Sequence, residues 1–200
     1  MKENLVEIVA LYSDNIPVAD FTETAKFAGG KLDFFKNASK EIRFTICAFG
    51  SGGAKYKKVC ENTPAGELAP EKLFSVENSY KVAMIDSAVK LAEELGARYR
   101  DTPPEEIPGE IVFVIVVFGK DNASKKHTYK ELREVIEHQT AVYGWRFYIV
   151  TDTPSIAEKL GFPDGDAVFA PTDTEGFFPQ VINEICDKII QNHGISLKGT

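Results

Sequence analysis

The amino-acid sequence predicts a doubly wound α/β fold: a mostly parallel central sheet with one antiparallel strand and helices on both faces. Three observations lead there. Short apolar runs alternate along the chain with stretches of helical period. One run, Ile111–Phe118 (IVFVIVVF), is apolar at every position, as suits a central parallel strand covered on both sides. No linker-like stretch and no internal repeat divides the 200 residues, so a single domain is expected, with a core from about residue 5 to 190 and a flexible tail over 193–200.

The elements follow in order. Leu5–Leu11 (LVEIVAL) reads as the first strand, interrupted by Glu7. Ser13–Asp20 holds turn residues. Phe21–Phe35 repeats apolar side chains at three and four, an amphipathic helix weakened by Gly29 and Gly30, which suggest close approach of another backbone. Ile42–Phe49 is a second strand, and Gly50–Gly53 a turn from which Tyr56–Val59 pairs back as the antiparallel strand. After a loop over Asn62–Pro70, Ser79–Leu95 carries Val82, Ile85, Val89 and Ala92 on one helical stripe, and Arg100–Gly109 is a Pro-rich acidic loop. The central strand is followed by a polar stretch and a helix over Thr128–Tyr143, opened by a Thr128/Glu131 capping box and ended by Gly144. Trp145–Val150 is a strand, Ser155–Leu160 a short helix stopped by Gly161 and capped by Asp152 or Thr153, Ala167–Ala170 a last strand, and Phe177–Gln191 the closing helix.

Composition limits function. A net charge of −7 argues against a nucleic-acid or anionic-membrane binder, which needs a basic face. No apolar run approaches the roughly 18 residues of a membrane span, and the start of the chain reads as mature and cytoplasmic. Cys47, Cys60 and Cys186 have no CxxC spacing and read as reduced thiols. Gly50-Ser51-Gly52-Gly53 lacks the P-loop pattern and reads as a hairpin turn. His127, His138 and His193 share no ligand spacing, and no Ser or Cys nucleophile motif accompanies them. Trp145 reads as core. No cofactor and no enzymatic activity are expected.

In a doubly wound sheet, ligands bind beyond the carboxyl ends of the parallel strands. The loops there carry a pattern. Gly119, Asn122, Ala123 and Ser124 form Gly-x-x-Asn-Ala-Ser after the central strand, and Tyr143-Gly144-Trp145 precedes the next strand. In order and spacing this resembles the fourth-strand region of bacterial and phage-type von Willebrand factor A (vWA) domains. Val82–Ser87 (VAMIDS) is similar to the family's Thr-x-Leu-x-Asp-Ala segment, and the resemblance extends over roughly Leu5–Ile190.

The resemblance implies a metal-ion-dependent adhesion site: Asp-x-Ser-x-Ser after the first strand, a Thr, and an Asp after the fourth, holding Mg²⁺ with a position open for a partner's carboxylate. This sequence departs at each place. Tyr12 stands for the first Asp, Asp14 and Ile16 for the two Ser, Val82 for the Thr and Phe118 for the last Asp. Only Asp14 offers a carboxylate, so a degenerate site is expected, with Tyr12, Val82 and Phe118 packed together at the strand tips. The family then implies a non-enzymatic interaction module whose partner, a protein or another copy of this chain, docks without a metal bridge through Tyr12, Asp14, Asn15, Lys120 and Asp121. Lys120, Lys125 and Lys126 form a basic cluster on the same face, suited to an acidic partner. The alternative is a rebuilt Mg²⁺ site around Asp14 and Asp121, with Asn15 and Asp20.

Overall fold

The computed structural model describes residues 1–14, 21–50, 56–70, 81–170 and 177–199; of residues 21–27 it describes the backbone alone. The strands are β1 (Lys2–Ser13), β2 (Glu41–Phe49), β3 (Tyr56–Pro64), β4 (Pro108–Val117), β5 (Arg146–Thr151) and β6 (Ala167–Phe169), joined into one sheet in the order β3-β2-β1-β4-β5-β6. All neighbours are parallel except β2 and β3. The helices are α1 (Phe21–Lys36), α2 (Met84–Asp101), α3 (Tyr129–Tyr143), α4 (Pro154–Leu160) and α5 (Phe177–Asn192).

Alternation along the strands divides the core into two layers. Val6, Ile8, Tyr12, Val112 and Val114 face α1 and α5, with Leu32, Phe35, Val181 and Ile185 packed over them. Val9, Leu11, Phe113 and Ile115 face the opposite way, toward Leu91 and Leu95 of α2, Leu132 of α3 and Ile156 of α4. The capping box of Thr128 and Glu131 opens α3, and Gly144, at φ 68°, closes it in the left-handed conformation that glycine adopts without a Cβ clash.

Four expectations are corrected. The helix expected from Ser79 begins, within the described residues, at Met84, and it runs on to Asp101, into the stretch read as loop. Arg98 and Arg100 in its last turn favour the negative end of the helix dipole, and Thr102 Oγ1 donates to the Arg98 carbonyl at 2.8 Å. β3 continues to Pro64, its irregular register absorbed at Asn62, which has a φ of 47°. Gly29 meets the Pro70 side chain at 3.5 Å and Gly30 meets nothing, so no backbone approaches there. The tail over 193–199 is docked, not frayed. Ile195 is buried, Leu197 bridges Ala38, and the Ser39 amide donates to the Ser196 carbonyl. His193, read as part of that tail, is buried with its Nδ1 2.5 Å from Glu110. The glycines of this segment suggested disorder, but Ile195 and His193 supply buried contacts that offset the ordering entropy.

Candidate functional site at the strand tips

The parallel register brings Tyr12 level with Ala48 of β2 and Val116 of β4, so the carboxyl ends of β1, β2 and β4 form one rim. Phe118, just past β4, is buried and packs edge-to-face on Phe177 and Phe178 at the start of α5, with ring centroids 5.6 and 6.5 Å apart. Tyr12 lies in the same apolar layer. Val82 does not. It precedes α2 and belongs to the opposite layer, so the expected trio is split by the sheet. The expectation that all three pack together is thus corrected: it holds for Tyr12 and Phe118 and fails for Val82.

The loop between β4 and α3 is bound tightly to the start of α2. That helix has as its N-cap Ala83, whose methyl group cannot accept a hydrogen bond. Its free amides are met from the far loop instead. Asp121 Oδ2 accepts from the Ile85 amide at 2.9 Å and from Ser124 Oγ at 2.7 Å, while Oδ1 accepts from the amides of Ala123 and Ser124 at 3.3 and 3.0 Å. Ser124 Oγ in turn accepts from the Asp86 amide at 3.0 Å. Asn122 Oδ1 accepts from the Val82 amide at 2.8 Å, and the Val82 carbonyl accepts from the amides of Asn122 and Ala123.

Asp86 reciprocates from the first turn of α2. Its side chain is 2% exposed, and it accepts from the amides of Lys125 (2.8 Å), Lys126 (3.1 Å) and His127 (2.8 Å), the residues that lead into α3. Burial alone would raise its pKa; the three amides and the nearby His127 outweigh burial and hold the carboxyl below its ordinary value. The two helix starts are thus stapled to each other by two aspartates.

This donor set does not fit a divalent cation. Both oxygens of Asp121 already face N–H or O–H donors, and so do both of Asp86. A cation would have to displace those bonds, and Tyr12, Val82 and Phe118 supply no carboxylate or aliphatic hydroxyl in return. Asp14 is 6% exposed. Its amide donates to the Phe49 carbonyl at 2.8 Å, and its carboxylate lies over Gly50, 1.8 Å from where a Cβ would stand, so a larger residue at 50 would have to displace that carboxylate. Among the described residues no three of His, Cys, Asp and Glu are grouped to hold a metal. Asn15, Ile16 and Asp20, and most of the Gly50–Gly53 turn, lie outside the described residues.

Of the residues expected to meet a partner, Tyr12 and Asp14 are buried and Asp121 is engaged by the loop, whereas Lys120 is exposed, as are Lys125 and Lys126. No ion pair involves these three lysines among the described residues.

Comparison with solved structures supports the architecture. Proximal thread matrix protein 1 from the mussel byssus superposes with a TM-score of 0.62 at 12% identity, over 99% of this chain and 49% of that one. The fold is vWA-like. A second form of the mussel protein, with zinc in its MIDAS motif, gives a TM-score of 0.61 at 11% identity, over 99% of this chain and 48% of that one. The manganese-loaded TRAP protein of Plasmodium vivax gives 0.56 at 9% identity, over 94% of this chain and 73% of that one. The chain therefore spans about half the length of the mussel protein. At such identities the likeness concerns the fold, and the metals are those of the proteins that hold them. No family model and no curated protein matches the sequence.

Two features escaped sequence reasoning. Asp86 and Ser124 lie in the motifs that carry the vWA resemblance, but their pairing depends on the loop's path. Glu7 had a signal: a carboxylate inside an apolar strand must be paired if buried. It is 1% exposed, and takes the Arg98 guanidinium at 2.6 and 2.7 Å, Thr45 Oγ1 at 2.6 Å and the Tyr99 hydroxyl at 2.7 Å.

Proposed function

We propose that this chain is a non-enzymatic, vWA-like protein-interaction domain that binds an acidic partner surface through the β4–α3 loop without a divalent metal. The observation behind this reading is the engagement of Asp121 and Asp86 by backbone amides, beside the exposed ammonium groups of Lys120, Lys125 and Lys126, which form no ion pair among the described residues. Where a vWA adhesion site offers a cation to a partner's carboxylate, this loop offers fixed backbone and lysine charge. The backbone is held on both flanks, so a partner meets a preorganised surface and little ordering entropy is lost on binding.

The test is recovery of a partner from native extract by the purified chain, with EDTA and with Mg²⁺, alongside a Lys120→Glu, Lys125→Glu, Lys126→Glu variant. The expected result is equal recovery in both buffers, weakened by salt and lost in the variant. Recovery that needs Mg²⁺, or that survives the charge reversal, overturns the proposal. The substituted side chains are exposed and form no described ion pair, so folding should be preserved.

A further inference from the structure

At the opposite end of the sheet, where the parallel strands begin, α2 and α3 splay around a cavity of about 560 Å³. That volume lies within the usual range of small-molecule sites, roughly 300–1,000 Å³. Three aromatic residues line it, Tyr99 half-buried, Tyr143 exposed and Trp145 at its floor with 3% of its surface exposed. Tyr99 and Trp145 meet edge-to-face with centroids 6.0 Å apart, Trp145 stacks on Phe147 at 6.2 Å, and Tyr143 stands at the rim, 63% exposed.

The aromatic wall is locked from behind. The Tyr99 hydroxyl donates to buried Glu7 and accepts from Arg98 Nη2 at 2.8 Å, so a buried ion pair fixes both ring and hydroxyl. Walls whose rotamers are held by a supporting layer are what a precise binding site requires.

The helix beside this wall carries an unexplained glycine. Gly96 lies within α2 and lines the cavity, and a Cβ built on it meets nothing within 4 Å. Glycine there costs about 1 kcal/mol relative to alanine, and no neighbour demands it. Such a local departure from the best helix former marks positions kept for something other than the fold. What Gly96 preserves is open space. Glu93 and Arg100, three residues before and four after, lie on the same helical face and flank it. Arg100 is exposed, with no ion-pair partner among the described residues, and its planar fork suits a carboxylate or sulfonate. Glu93 shares its wall with His138.

We propose that this groove between α2 and α3 binds a small planar aromatic molecule bearing an anionic group. The ring lies against Tyr99, Trp145 and Tyr143, and the anion pairs with Arg100. This site is separate from the lysine-bearing loop and does not depend on it.

The probes are 1-anilinonaphthalene-8-sulfonate and its uncharged analogue N-phenyl-1-naphthylamine. Trp145 is the only tryptophan of the chain, so quenching of its emission reports a bound dye within energy-transfer range, and the groove variants locate it. The sulfonate should bind saturably and quench Trp145. Gly96→Leu should lower its affinity at least tenfold while leaving the melting temperature equal or higher, and Tyr143→Ala, at an exposed position, should weaken it several-fold. Arg100→Ala should weaken the sulfonate probe and leave the uncharged one unchanged. Sulfonate binding without Trp145 quenching, or untouched by both Gly96→Leu and Tyr143→Ala, would place the dye elsewhere, as in the apolar cavity of about 150 Å³ beneath α1 and α5, and overturns the proposal. Equal loss of both probes in Arg100→Ala overturns the anionic assignment.

Discussion

At the carboxyl ends of the parallel strands, Asp121 and Asp86 spend their oxygens largely on backbone amides, and the result is a loop held tightly against the start of α2. At the amino ends, Glu7 is as deeply buried but spends its oxygens on Arg98, Tyr99 and Thr45 side chains, and the result is a cavity with a rigid aromatic wall. The same chemical group, a carboxylate withdrawn from water, thus does two jobs according to its donors. Amides of a neighbouring loop draw that loop in and seal the rim. Side chains reaching from a helix hold one face of that helix steady and leave space beside it.

The sharpest way to break the comparison is to remove the deepest carboxylate. Glu7→Ala leaves Arg98, only 23% exposed, with the longer ion pair to Glu61 at 3.7 Å in place of its two short bonds to Glu7. Removing one member of a buried pair costs about 3–5 kcal/mol. Urea unfolding should register that loss, and the dye affinity of the groove should fall with it in the fraction still folded. If stability falls by less than about 1 kcal/mol, a tenth or so of a typical total, the network is not holding the wall.

Asp86→Asn should cost less, about 2 kcal/mol, because an amide oxygen still accepts from part of the loop and hydrogen bonds to a charged group exceed neutral ones by roughly that order. It also carries a pH signature. The folded Asp86 carboxyl titrates below its ordinary value, so its contribution is complete above that value, near pH 4, and is lost as pH falls through the folded pKa. Acid unfolding of the parent chain should therefore steepen below about pH 4, and the Asn variant should lack that part of the slope. Equal slopes would detach Asp86 from the stapling of α2 to α3.

How far the sequence foretold these two ends differs as well. The order of elements, the antiparallel β3, the capping box at Thr128 and the glycine stop at Gly144 were legible because each is a local pattern of period, cap and turn. That Tyr12 and Phe118 pack in one apolar layer was legible because motif spacing fixes the register. The side of the sheet was not: Val82 falls in the other layer, with Leu11 and Phe49, which no spacing within VAMIDS records. Nor was the fate of Asp121, whose partner Ile85 lies 36 residues away. The groove was invisible for the same reason, since Gly96 of α2 and Trp145, just before β5, come to line one cavity only in the folded chain. Nor did Gly96 give a local hint, since the helical pattern read from the sequence stops at Leu95 and only the structure carries α2 on to Asp101.

The smallest expected effect concerns the metal itself. A site with Kd of about 0.1 mM, given Mg²⁺ at a hundredfold excess, would stabilise the native state by about 2.7 kcal/mol. For a chain of this length that is a rise in melting temperature of roughly 5–10 °C. The closed rim predicts no rise beyond the scatter of repeated scans, with Mg²⁺ or Mn²⁺, and no fall with EDTA. Because the amides around Asp121 and Asp86 must be released before a cation can enter, Asp121→Asn should leave this null response unchanged while weakening the fold. A rise that Asp14→Ala abolishes would mean that the first loop completes a site the described residues do not form, and the contrast between a sealed rim and an open groove would then hold only for the chain without its ion.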